Sequence, residues 1–147
     1  MSAGLTYNFS QLTALQARIE KLSRLQKKAI LDIVGAQVES QTRRRIQVEK
    51  ESPAGIPWPA WSDRYARRRP AGKSLLMNED QLLDSLTYLM VDRDSVEVGS
   101  NMIYAATHQF GDLERGIPAR AYLGISAVNE TELIRELDLY LDKVIGL

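Results

Sequence analysis

SLTYLMVDRDSVEVGS, residues 85–100, decides the fold class. Two runs rich in β-branched and aromatic side chains flank the polar turn Asp92-Arg93-Asp94, the pattern of a β-hairpin. In the second run Val96 and Val98 alternate with Glu97, so one face of that strand turns inward and the other meets water. The segments on either side read as helices and loops, and the hairpin therefore sets the class as α+β.

Downstream, Asn101 is placed to cap a helix running through YAATHQF, and Gly111 stops it as a glycine past a helix end does. Tyr104 and His108 sit at i and i+4 and share a face. His108, the single histidine, falls in the last turn, where its ring can meet free carbonyls. A loop, DLERGIPAR, and an extended piece, AYLGIS, follow. The last helix is expected from Asn129, with Glu132 completing its cap. Leu133, Leu137, Leu141 and Val144 form its buried stripe, supported by Ile134 and Ile145.

Upstream, Asn78 is expected to open a short helix capped with Gln81, carrying Leu82, Leu83 and Leu86 on one side. Residues 52–74 hold four of the five prolines, two glycines and both tryptophans, Trp58 and Trp61. That density of Pro and Gly excludes a continuous helix or a central strand. It predicts a long loop with one helical turn around Asp63 to Arg68, docked on something through its aromatics. From Ser10 to Lys50 the pattern is helical, with Leu12, Leu15, Ile19, Leu22 and Leu25 on one stripe. Ser23 and Gln26 make a capping box for a second helix, which turns Ile30, Ile33, Val34, Val38 and Ile46 inward. Glu20 with Arg24 and Glu39 with Arg43 are favourably ordered i,i+4 pairs. The expected architecture is a long N-terminal helical arm (1–50) and an α+β core (51–147). That core has a small antiparallel sheet, helices on one face and a long Pro/Trp loop (51–76), and the whole forms one domain.

Composition bounds the function. With 147 residues, 44% hydrophobic and 26% charged, the chain is long enough to bury a core without staples. It has no cysteine, which removes disulfides, thiolate metal sites and thiol catalysis. Nineteen basic residues balance nineteen acidic ones, so attraction to nucleic acid or an anionic membrane would need a local patch. No signal peptide is expected at MSAGLTYNFSQL, and no window approaches the ~20 apolar residues that cross a bilayer.

Catalysis finds little to work with. One imidazole and no G-x-S-x-G elbow leave no nucleophile triad, and no acidic cluster has calcium-loop spacing. Glu79-Asp80 and Asp92-Asp94 sit at a helix start and a turn, where carboxylates are favoured anyway. A carboxylate glycosidase needs no histidine, but nothing encourages that reading. The chain is read as a non-enzyme without cofactor or metal. Two arginine triplets stand out. Arg43, Arg44 and Arg45 fan around a helix and cannot form one stripe, so pairing and solvation are expected for them. Arg67, Arg68 and Arg69 lie beside Trp58, Trp61 and Tyr65, a mixture suited to phosphates and bases or to an acidic protein surface. The neutral net charge favours protein contact.

Four stretches in order, TRRRI (42–46), PAGIPWPAWS (53–62), VEVGSNMIYAATHQFG (96–111) and IPARAYLG (117–124), resemble the virion-morphogenesis or tail-completion proteins of contractile-tailed bacteriophages of the Mu and P2 type. The likeness runs from Thr42 to Gly124. It departs at Ala121, where the family often has a proline, at Thr107, where an apolar residue is usual, and in NEDQLLDSL, which lacks a customary glycine. The resemblance implies a structural role in the virion at the head–tail junction, after assembly in the host cytoplasm. It also implies a homo-oligomeric ring, a hexamer, that meets other neck and tail proteins and surrounds the DNA path, with non-specific DNA contact in its lumen. By position it marks Tyr104, His108, Gln109, Phe110, Gly111, Pro118, Ala119 and Arg120, none with a catalytic role. With Trp58, Trp61 and Arg67 to Arg69, these are the expected interface. A nucleic-acid-binding module using the two arginine triplets is the alternative.

Overall fold

The computed structural model describes residues 3–8, 13–69, 71–77 and 80–145. Its first half contains β1 (Ala3–Asn8), α1 (Thr13–Glu20), α2 (Arg24–Arg44), a π-helical turn (Arg45–Glu49) and α3 (Asp63–Arg68). Its second half contains α4 (Gln81–Ser85), β2 (Thr87–Met90), β3 (Ser95–Ser100), α5 (Ala105–Phe110) and α6 (Ala127–Ile145). The class is α+β, and the hairpin forms where the alternation places it. β2 and β3 pair antiparallel from Thr87↔Gly99 to Met90↔Val96. The Asp92 carboxylate accepts from the Asp94 amide at 2.8 Å, an Asx turn that reverses the chain.

The sheet has a third strand that the pattern does not announce. β1 pairs antiparallel with the free side of β3, from Ala3↔Ser100 to Asn8↔Ser95, giving the order β1-β3-β2. β3 is therefore central, and every residue in it except Glu97 is buried. The expected helical arm (1–50) therefore begins with a strand at 3–8, which its pairing with β3 reveals.

Helices cover one face of the sheet. The Ser23 capping box forms as predicted, with reciprocal Ser23–Gln26 bonds. α2 packs against α6, β3 and β2, so the N-terminal helices fold back on the sheet. Gly35 lies against the Tyr88 ring, where a β-carbon would come within 2.3 Å of ring carbon. Only glycine lets helix and strand approach so closely. Leu15, Ile19, Leu22, Ile30, Val34 and Val38 join Val96, Val98, Leu133, Leu137 and Leu141 in one core, which also takes in Leu31. Each fully buried Leu or Ile contributes about 1.5–3 kcal/mol of transfer free energy. Arg18 forks onto Asp138 at 2.8 Å and Asp142 at 2.6 Å, tying α1 to α6.

Several local expectations change. Leu25 is 77% exposed, because the break at Ser23 resets the helical phase and turns that position outward. Leu12 and the Asn78 cap lie outside the described residues. α6 starts at Ala127, before the expected Asn129. Ser126 and Asn129 exchange side-chain-to-amide bonds, so the reciprocal cap sits three residues earlier than read. α5 starts at Ala105 rather than beside Asn101, because a tight turn from Met102 intervenes. Gly111 does end α5, its amide bonding the Thr107 carbonyl at 2.7 Å.

Candidate functional site

Beside the helix–sheet core lies a second cluster built from Ile46, Trp58, Leu82, Leu83, Leu86, Ala105, Tyr122 and Leu123. Most of these residues come from loops and short turns, which cannot satisfy their own backbone polar groups. Buried side chains do it for them. The last turns of α2 widen into the π-turn, and Lys50 ends it in the left-handed conformation at φ 56°. Arg45, only 1% exposed, donates to the carbonyls of Tyr122 at 2.7 Å and Gly124 at 3.3 Å, and to the Asn129 side chain. Burial pushes its pKa down, yet a guanidinium keeps its proton in any protein. Here it supplies a fan of donors that no neutral residue matches.

The YAATHQFG motif makes a second anchor. The Gln109 carboxamide imitates a strand: its oxygen accepts from the Tyr122 and Leu123 amides at 3.0 Å each, and its nitrogen donates to the Leu123 carbonyl at 3.2 Å. Gly111 has φ 74°, and a β-carbon there would sit 2.7 Å from the Ala119 nitrogen. That contact explains the glycine. The Tyr122 hydroxyl donates to the Ala105 carbonyl at 2.9 Å, and burial raises its pKa.

Arg120 and Trp58 then staple the Pro/Trp loop to the IPARAYLG segment from both sides. The Arg120 guanidinium donates to the carbonyls of Pro59 at 2.8 Å and Ala60 at 3.0 Å. The Trp58 indole donates to the Ala121 carbonyl at 2.8 Å. The loop is docked, with α3 capped by Ser62 as its single helical turn.

His108 lies at the heart of this region. Its ring meets Tyr104 edge-on, centroids 5.4 Å apart, and its carbonyl accepts from the Arg120 amide at 2.7 Å. Burial, and next the Arg120 charge, hold its pKa below the usual imidazole value, so the ring is neutral at pH 7. Nδ1 is buried with no hydrogen-bond partner among the described residues. Tyr104 and His108 form one wall of a cleft of about 350 Å³, with Trp61, Tyr65, Leu76 and Arg120 among its other walls. Trp61 is edge-on to Tyr65 at 5.7 Å, and the Arg69 guanidinium sits over the Trp61 ring at 4.2 Å.

The structure thus gathers Trp58, Trp61, Arg69, Tyr104, His108, Gln109, Gly111 and Arg120 around one loop junction. Phe110, 74% exposed, and Pro118 stand outside it, facing solvent. Arg67 and Arg68 also face solvent, and with Arg64 they form an i, i+3, i+4 stripe on α3. The first arginine triplet is divided. Arg43 bonds Glu39 and the Leu83 and Leu86 carbonyls, Arg44 bonds Glu49 and Glu132, and Arg45 is buried. The expectation of pairing holds for Arg43 and Arg44, whereas the expectation of solvation is corrected at Arg45. Sequence reasoning missed Arg45 as a core residue, and Tyr122 and Asn129 as its acceptors. The one usable signal is that Arg45 lies between the inward positions Val38 and Ile46 on a helix otherwise patterned for burial.

A loop held by side chains whose donors go to distant backbone carbonyls is a rigid structural junction. Residues 8–142 match the phage virion morphogenesis family, and the chain belongs to it. It is 32% identical over 116 residues to "Putative capsid assembly protein G" of Escherichia phage Mu, covering 72% of this chain and 74% of that one. No solved structure matches it. The protein therefore has a phage structural or assembly role, in a family not known for enzymes. Among the described residues no helix is long and apolar enough to cross a membrane.

Proposed function

We propose that this chain completes the tail of a phage particle at its neck, joining head and tail through contacts between copies arranged as a ring around the DNA path. The observation that carries this reading is where the polar groups of the family motifs go. Gln109, Arg120 and Trp58 all bond backbone within the molecule, which makes the loop junction a rigid platform, while Phe110, Arg67 and Arg68 project from it. Rigid platforms with projecting aromatic and arginine side chains suit protein interfaces. The test is electron microscopy of lysates in which this chain is depleted. The expected result is filled heads and separate tails with unfinished head-proximal ends, restored by supplying the protein. Normally joined particles would overturn the proposal, and malformed heads would move the role to the capsid, as the name of the Mu relative suggests for that protein.

A second reading rests on the α3 stripe. Arg64, Arg67 and Arg68 are exposed and have no salt bridge to any described residue, so they are free to neutralise phosphates in a lumen. Binding of duplex DNA that falls steeply between low and physiological salt, and disappears on changing all three to Ala, is the expected signature. The Arg43–Arg45 triplet is less suited to this role, because Arg43 and Arg44 are paired with carboxylates and Arg45 is buried.

A further inference from the structure

The α5 helix carries a cleft on one side and an apolar projection on the other. Tyr104 and His108 face the cleft. Phe110 is two positions beyond His108, about 200° round a helix, and is 74% exposed. Leu113, just after the helix, is 99% exposed, and Ile103, just before it, is 93% exposed. Three large apolar side chains within eleven residues of sequence, each at least 74% exposed, concentrate apolar area around this helix, and such area marks interaction sites where it is contiguous. Gly111 holds the projection rigidly, since its backbone packs against Ile117, Pro118 and Ala119.

Charge on the two sides is opposed. The cleft itself is lined by one acid, Asp80, and one base, Arg120, while residues 62–74, which contribute Tyr65 and Ser74 to it, carry Arg64, Arg67, Arg68, Arg69 and Lys73 against Asp63 alone. The projection carries Asp112 and Glu114 around Leu113. Arg115 turns back to Asp112 at 3.8 Å, leaving the exposed Glu114 without a salt bridge to any described residue. The cleft's aromatic walls and its volume of about 350 Å³ place it at the small end of sites that receive apolar groups.

We propose that the occupant of this cleft is a second copy of the same chain, which inserts Leu113 and Phe110 between Trp61, Tyr65 and Tyr104 while Glu114 meets the arginines of α3. The two surfaces are different and lie on opposite sides of one short helix, so the contact is head-to-tail. Repeated in one direction, such a contact generates a closed ring or an open filament. This inference rests on the reading of the protein as a self-assembling structural component and names the surfaces that reading leaves unspecified.

The chain has no cysteine, which makes the test clean. Single variants Leu113→Cys and Ser74→Cys of the full chain are mixed in equal amounts and treated with a short bis-maleimide. Random collisions in an equal mixture give the mixed 113–74 product about twice the yield of each symmetric one, so the expected result is a mixed cross-link well above that ratio. Leu113→Asp, at a position too exposed to affect folding, is expected to weaken self-association by about tenfold or more in sedimentation experiments, as loss of an interface anchor does. Self-association with cross-links in the random ratio or mainly symmetric, or unchanged by Leu113→Asp, overturns the interface but leaves a self-assembling protein. A cross-link from position 113 to a different protein in assembled particles overturns the interface and leaves the structural role. Absence of both cross-links and of self-association at the highest soluble concentration overturns the interface and the ring together.

Discussion

The two cores of this molecule are made in different ways. The helix–sheet core joins Leu133, Leu137 and Leu141 of α6 to the apolar faces of α2 and β3, and its backbone bonds close within regular elements. The loop core around Trp58 and Tyr122 contains little regular structure, and its carbonyls are satisfied by Arg45, Arg120, Gln109 and the Trp58 indole. One region is held by periodic apolar area and the other by a few polar anchors. Each anchor is accordingly harder to replace, because removing one leaves several buried groups unpaired at once.

The sharpest way to break that comparison is Arg45→Met. It keeps volume but removes the Arg45 donors from the Tyr122 and Gly124 carbonyls and from the Asn129 side chain, which keeps only the Ser126 amide, with an expected loss of about 3–5 kcal/mol in urea unfolding. A loss below about 1 kcal/mol would mean that the loop core is held by packing like the first. Next comes Leu137→Ala, a cavity in the helix–sheet core, expected to cost about 3 kcal/mol. Gly111→Ala follows. A β-carbon there meets backbone at 2.7 Å with φ at 74°, and strain of about 1–3 kcal/mol is expected, with faster amide exchange in residues 117–123 and little change in α6.

The smallest effect is that of pH. His108 is held neutral, its folded pKa below that of the unfolded chain. At neutral pH and above, both states are neutral and nothing is lost. As pH falls through the unfolded value, about 6.5, the unfolded chain takes up a proton that the folded ring refuses, and stability declines. Urea midpoints for the wild type and His108→Gln at pH 7.5 and 5.5 check the sign: the wild type should lose the more on acidification. The reverse order would show that Arg120 and burial do not govern this ring.

The difference in construction also explains what could be read beforehand. The hairpin at 85–100, the Ser23 cap and the α6 stripe were legible because local spacing dictates them. The Pro/Trp segment was legible as a docked loop with one turn at Asp63–Arg68, since Pro, Gly and a capping Ser act locally. The site was legible only as a set of letters. Tyr104, His108, Gln109 and Arg120 were singled out, yet nothing in their spacing says that Gln109 mimics a strand or that Arg120 reaches back sixty residues to Ala60. β1 was invisible for the same reason: a short strand is defined by its partner, Ser95–Ser100.

By itself, the amino-acid order determined the helices of the first core, the hairpin, the absence of thiol chemistry and the likeness to phage morphogenesis proteins, because periodicity, composition and motif order are properties of the chain. Tertiary structure alone decided that Arg45 is buried while Arg64, Arg67 and Arg68 are exposed, and that one short helix has a cleft on one side and Phe110 on the other. Burial and pairing depend on which distant backbone atoms arrive beside a side chain, and a charged residue carries no local mark of that destination.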